Sequence, residues 1–308
     1  MDRREFIAAA VAAPFAVRAG MRRPLTLVTA DTEASVAVVD AFAGRVLRRI
    51  ATRPDPRSIE RVGETAVVAH TAVGEVSLLE GLAVRHVIRG FGEPRYAATS
   101  PTGRYAYVTD SGRADVAVVD VPRARVVARL HLGGWPRHLS IDRAGRTLWV
   151  ALGTAARDLA VVDVTRPLHP RRIGTIRPSF RLHDVGFVPG TRHVWVTSGD
   201  RGSAAIYDSR TGHVLRLLRV GAPPQHVAFD PTRAYVTSGD DGTLRTFALD
   251  GQLLRVTSIP AGSYNVQRGP GRVVTPSLSQ GTLCVLDEAG DVMRRVHVAR
   301  SSHDACFV

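Results

Sequence analysis

Short runs of mostly β-branched and apolar residues, each ending in an acid, recur along the chain: VAVVD at Asp40, VSLLE at Glu80, VAVVD at Asp120, LAVVD at Asp163, AAIYD at Asp208, TFALD at Asp250 and LCVLD at Asp287. The intervals are 40, 40, 43, 45, 42 and 37 residues, a period that predicts a repeat architecture. Each run reads as a strand followed by a turn and a second strand, as in Asp208-Ser-Arg-Thr-Gly212 leading into HVLRLLRV. The terminal acid has a structural task at that point: its carboxylate accepts hydrogen bonds from backbone N–H groups of the turn it opens.

A second repeated strand pair precedes each run. Clear copies are PRYAATSPTGRYAYVTD from Pro94, PRHLSIDRAGRTLWVAL from Pro136 and PQHVAFDPTRAYVTSGD from Pro224, with looser ones from Pro56, Arg181, Ser263 and Ser302. Four short strands per unit predict an all-β, seven-bladed β-propeller of four-stranded antiparallel blades, because one blade cannot bury both its faces and a closed ring can. Small residues recur midway along the first strand (Ala98, Ser140, Gly186, Ala228), as crowding near the axis requires, and Cys306 falls in the same slot. That predicts a buried, inert thiol, a disulfide to Cys284 being the alternative. The last segment, SHDACFV, is a lone first strand, whereas the N-terminal LTLVTA (Leu25 to Ala30) matches a second strand lacking its first. Pairing the C-terminal strand with the N-terminal strands closes the ring.

Residues 1–20, MDRREFIAAAVAAPFAVRAG, combine a charged start, an apolar stretch and the small-residue sequence Val17-Arg18-Ala19. This is the plan of an export signal, too short to span a bilayer. The segment resembles a twin-arginine signal, with Arg3 and Arg4 as the pair, although Asp2 stands where Ser or Thr is usual. The expected organisation is therefore 1–19 signal and 20–308 propeller, exported to the periplasm, envelope or exterior. The mature chain has no further apolar run long enough to cross a membrane. Of the chain's charge, +13 (41 basic against 28 acidic residues), removal of three Arg, one Asp and one Glu with the signal leaves +12. All basic residues are Arg, spread over the whole chain rather than gathered in a stripe. The charge predicts salt-sensitive, nonspecific nucleic-acid binding, but 6% aromatic content and the lack of Arg-aromatic interleaving argue against a single-strand groove. Two Cys exclude a disulfide framework and a four-Cys zinc domain.

Tyr107-Val-Thr-Asp110, Tyr235-Val-Thr-Ser238 and Trp195-Val-Thr-Ser198, with the turn Pro101-Thr-Gly-Arg104, resemble the YVTN-repeat, YncE-like family of bacterial seven-bladed propellers. The family's final Asn is replaced by Asp or Ser in all three. The resemblance covers nearly all of the mature chain and implies a largely exported group in which DNA binding occurs; related propellers include lactonases, lyases and haem enzymes. The Gly-His and Trp-Asp landmarks of WD40 repeats and a C-x-x-C-H haem site are missing from the sequence.

Propeller ligands sit at one end of the central channel, where the segment leading into each first strand supplies residues from every blade. Those segments align as seven pairs: Arg57-Ser58, Arg95-Tyr96, Arg137-His138, His183-Asp184, Gln225-His226, Tyr264-Asn265 and His303-Asp304. Such enrichment in His, Arg, Asp and Tyr predicts a binding or scaffold protein that takes a small polar or anionic ligand, or a protein partner, at the channel mouth. Arg57, Arg95 and Arg137 form a prospective anion clamp. The catalytic alternative is a metal-dependent lyase or lactonase. There His138, His226 and His303, with His183 as a substitute, would hold zinc or calcium, and Tyr264 or Tyr96 would serve as acid or base. Adjacent strand residues face opposite ways, so both members of a pair are not expected to meet one ligand.

Overall fold

In the run Val36–Val39 each residue is buried, because the strand is packed on both faces. Val36 and Val38 join Ile59, Ala66, Val68 and Leu79 of the next blade, while Ala37 and Val39 join Val274, Leu283 and Val285 of the preceding one. Seven such clusters, one at each seam between neighbouring blades, account for the near-continuous hydrophobic runs. The computed structural model describes residues 24–308, and these form seven four-stranded antiparallel sheets. The prospective signal, Arg3 and Arg4 included, lies outside the described residues. Among the described residues, no helix is long and apolar enough to cross a membrane.

Blade 1 is built from both ends of the chain. Its inner strand Ala305–Phe307 pairs with Thr26–Ala30, which is followed by Ser35–Asp40 and Arg45–Ala51. The register sets Leu27 against Cys306, and Leu25 and Val308 exchange backbone hydrogen bonds of 3.0 and 2.9 Å. Blades 2 to 7 follow in chain order, with inner strands beginning at Pro56, Pro94, Leu139, Leu182, Val227 and Gln267. Both cysteines are buried free thiols. Space near the axis is as tight as the small-residue slot implies: a Cβ on Gly186 would stand 2.7 Å from the Phe229 ring in the next blade.

Six of the seven run-ending acids hold their turns as expected, for example Asp40 accepting from Ala43 N at 2.8 Å and Asp208 from Arg210 N at 2.8 Å. Glu80 departs from the pattern. Its longer side chain accepts from the Thr65 hydroxyl on the neighbouring strand at 3.3 Å instead. The Thr of the Y-V-T triplets has a task of its own. Thr109 and Thr197 donate to the carbonyls of Arg137 and Gln225 in the following blades at 2.6 and 2.8 Å, and Thr237 donates likewise to Tyr264. Outer-strand arginines also cross seams: Arg129, Arg172 and Arg216 donate to the carbonyls of Gly90, Leu132 and Asp250 at 2.9, 3.0 and 2.6 Å. Part of the scattered positive charge therefore works as mortar between blades.

Candidate functional site

The seven lead-in pairs do converge on the channel, and strand alternation sorts them into two layers. The first members Arg57, Arg137, His183, Gln225, Tyr264 and His303 line a mouth cavity of about 280 Å³. All seven second members, Ser58, Tyr96, His138, Asp184, His226, Asn265 and Asp304, line an inner cavity of about 480 Å³. Tyr96 and His226 border both. Arg95 is absent from the mouth wall. Glu93 holds its guanidinium at 2.8 Å and Trp135 lies beneath it at 4.6 Å, which leaves Arg57 and Arg137 facing the mouth cavity.

At the boundary between the layers His138, His183 and His226 come together. One ring nitrogen from each lies within 4.8 Å of the others, the only such three-residue group of potential metal ligands among the described residues. The backbone fixes the orientation of each ring. His138 Nδ1 sits 2.7 Å from the His183 carbonyl and His183 Nδ1 3.0 Å from the Thr154 carbonyl, while His226 Nδ1 lies 3.4 Å from the Asp184 carboxylate. An acceptor at Nδ1 selects the tautomer whose Nε2 carries a free lone pair, the arrangement found behind metal-binding histidines. His138 Nε2 is buried and has no hydrogen-bond partner. Burial, reinforced by repulsion from the neighbouring imidazoles and Arg137, holds His138 well below the usual imidazole range, and similar causes bring His183 down to about 3. Both rings are therefore neutral at physiological pH. His303 stands apart from this group, its Nδ1 2.6 Å from the Arg57 carbonyl and 3.4 Å from Asn265 Nδ2. His183 thus takes the place beside His138 and His226 that the sequence assigns first to His303.

The remaining site residues divide between chemistry and scaffolding. The Tyr96 ring lies 4.3 Å from that of His138 and beneath Arg137. Burial raises its phenol above the ordinary range despite the opposing pull of Arg137. Tyr264, by contrast, donates to Asp240 at 3.0 Å. Asp184 and Asp304 act as matching staples: each accepts from the next backbone N–H on its own strand and from the inner strand of the following blade, at Val227 and Ile59 respectively. Burial pushes Asp304 up to about 6 and Glu60 up to about 8, Asp304 adding to the shift of Glu60. Glu60 lines the inner cavity and is absent from the sequence-derived set. A signal for it existed, since it occupies the register of Ala98, Ser140, Gly186 and Ala228, where a long charged side chain breaks the small-residue pattern.

Comparison with protein families and with curated proteins found no match for the chain. Solved structures do match. They include hydrazine synthase of Kuenenia stuttgartiensis, with a TM-score of 0.74 and 20% identity over 86% of this chain and 92% of that one. Apo AztD from Citrobacter koseri matches with a TM-score of 0.72 and 12% identity over 92% and 97% of the two chains. A functionally unknown protein from Desulfotomaculum acetoxidans DSM 771 matches with 0.78 and 12% over 92% and 98%. The chain is a seven-bladed β-propeller. At these identities the likeness is one of fold, and propellers that share it include an enzyme and a protein of unknown function, so activity has to be argued from the channel.

Proposed function

We propose that this chain is an exported propeller of the YVTN-repeat type whose channel holds a divalent transition metal on His138, His183 and His226 and binds a small anionic ligand in the mouth above it. The observation that carries the reading is the buried Nε2 of His138, which has no partner and stands among three imidazoles whose nitrogens lie within 4.8 Å of one another. A tetrahedral zinc site would place those nitrogens about 3.3 Å apart, a contraction that modest ring rotations supply. Neutral imidazoles favour zinc and its neighbours, whereas calcium requires oxygen ligands, so this donor set does not fit calcium. Three protein ligands leave a coordination position for a ligand from the channel.

The catalytic variant of this reading is a metal-dependent lyase or lactonase. It is favoured by Tyr96, a neutral phenol against His138 that borders both cavities and is placed to transfer a proton. The test is zinc loading of the full chain, removal of free metal and elemental analysis, beside a His138→Ala/His226→Ala double variant. One retained equivalent in the parent and none in the folded variant is the expected result. A folded parent that retains no zinc would refute the metal centre.

A further inference from the structure

We infer that the ligand of the mouth cavity is a small dianion held at two points, one anionic oxygen on the metal of the three-imidazole centre and another between the guanidinium groups of Arg57 and Arg137. The inference rests on the metal reading above and specifies the charge and shape of what that site takes.

Charge balance is the first support. Neutral imidazoles leave a divalent ion with its full charge, and the ion dominates the local field. Among the described residues no carboxylate lines the mouth cavity. Asp184 and Asp304 face the inner cavity, where their oxygens are engaged by backbone N–H groups and, for Asp184, also by His226 Nδ1 at 3.4 Å, so that the nearest carboxylate lies behind an imidazole and outside the mouth. Asp240 is reached only through the Tyr264 hydroxyl and the Gln225 amide, at 3.0 and 3.4 Å. The two guanidinium groups add to this unbalanced positive charge. Neither Arg57 nor Arg137 has an ion pair among the described residues; the Nε of each is buried without an acceptor, as is that of Arg95, and Arg137 also bonds the Tyr96 side chain. Arg95, the equivalent residue one blade along from Arg57, has Glu93, so the missing acid is particular to the two that face the cavity. Guanidinium groups unpaired in this way suit a carboxylate or phosphate group supplied from outside.

Size is the second support. The mouth cavity, at about 280 Å³, lies at the lower end of the range for small-molecule pockets. Part of its wall is Ala155, Gly199 and Leu278, which offer nothing to a second charged group of opposite sign. A short dicarboxylate or a phosphate has the two negative charges and the compactness required. A monocarboxylate brings a single negative charge to the same three positive centres and leaves more of their charge unbalanced.

The experiment uses the full chain loaded with Co(II), whose visible spectrum reports the metal, and calorimetric titration with malonate, succinate, phosphate and acetate. Malonate, succinate or phosphate should bind at least about tenfold tighter than acetate and change the Co(II) spectrum. Phosphate as the tightest of the set would assign the anion to the phosphate class, and malonate or succinate to the dicarboxylates. In Arg57→Gln and Arg137→Gln the ligand-free Co(II) spectrum should persist, which shows fold and metal centre intact, while dianion affinity falls to the level of acetate. Dianions binding no tighter than acetate, or unchanged in both variants, would overturn the inference and leave the metal centre standing. A folded parent that takes up no Co(II) would overturn both.

Discussion

Replacing Thr109 by Val preserves the shape of a buried side chain and removes one hydroxyl from a place where two blades meet. Thr109 is fully buried, donates to the Arg137 carbonyl at 2.6 Å and accepts from the Tyr96 N–H at 3.1 Å. The Val variant leaves a donor and an acceptor without that partner, and each buried unsatisfied group costs about 1–3 kcal/mol, so the loss should be about 2–6 kcal/mol. For the 285 residues from 24 to 308, an unfolding entropy of about 2.1 cal/mol/K per residue converts this to a fall in Tm of roughly 3–10 °C. Thr109→Ser keeps the hydroxyl and gives up only a methyl group, so it should lose about half as much or less. Thermal melting followed by circular dichroism and calorimetry measures both. A Val variant melting within about 1 °C of the parent, or a Ser variant that falls as far as Val, would show that the hydrogen bonds across this seam are not what the Thr supplies.

Removing residues 302–308 deletes the inner strand of blade 1 and should abolish cooperative melting; a truncated chain that melts like the parent would refute closure by the two termini. Glu60 titrates near 4.5 when unfolded and near 8 in the fold, so the native state holds the extra proton between those values and stability falls as pH rises from about 4.5 to 8. Glu60→Gln lacks that loss and should gain on the parent across the same window, reaching on the order of 1–2 kcal/mol by pH 8 after allowance for solvent at a half-buried site; parallel stability curves from pH 4 to 9 would contradict it. Cys284 and Cys306, both buried and unpaired, should resist a thiol-specific disulfide reagent in the native protein and react fully in denaturant. Rapid native labelling would show that their seams open.

The blades, the ring closure and the position of the channel mouth are legible in the sequence because each depends on a local pattern that recurs: a buried run, a turn-opening acid, a small residue near the axis. The site is legible as a set of positions and less so as a set of partners. Which imidazole joins His138 and His226 depends on how the inner strands are spaced around the ring. His183 is reached because its blade follows that of His138, whose Nδ1 bonds its carbonyl, whereas His303 is drawn across to the Arg57 carbonyl. Arg95 follows Glu93-Pro94 just as Arg57 follows Asp55-Pro56, and only the fold shows that Glu93 pairs with its arginine while Asp55 turns to the Ala72 N–H. The seven pairs look like fourteen equivalent candidates in the sequence, but strand alternation divides them, Arg95 apart, between two cavities, a mouth with two arginines and no carboxylate and an inner cavity with three carboxylates and one arginine, Arg268.

That division explains how the proposed metal centre can share the ring with the bonds that hold the blades together. At the second position of the lead-in pair, several blades carry a side chain that bonds the first residue's carbonyl in the following blade: Ser58 to Arg95, His138 to His183 and, at 2.6 Å, Asn265 to His303. Where a blade lacks that bond, the Thr of its second strand can supply it, as Thr197 does for Gln225. Each carbonyl faces a neighbouring blade and needs a donor, so the position is under a structural demand before any ligand is considered. Ser meets the demand with its single hydroxyl and Asn with an amide N–H, but neither then offers a strong metal ligand. Imidazole differs because its two nitrogens face opposite ways: Nδ1–H serves the seam while the Nε2 lone pair remains free toward the channel. In His138 the seam bond therefore also fixes the tautomer and direction of the proposed metal ligand, and a variant that restores that bond without a second nitrogen, such as His138→Asn, should keep the melting temperature of the parent and retain no zinc after removal of free metal.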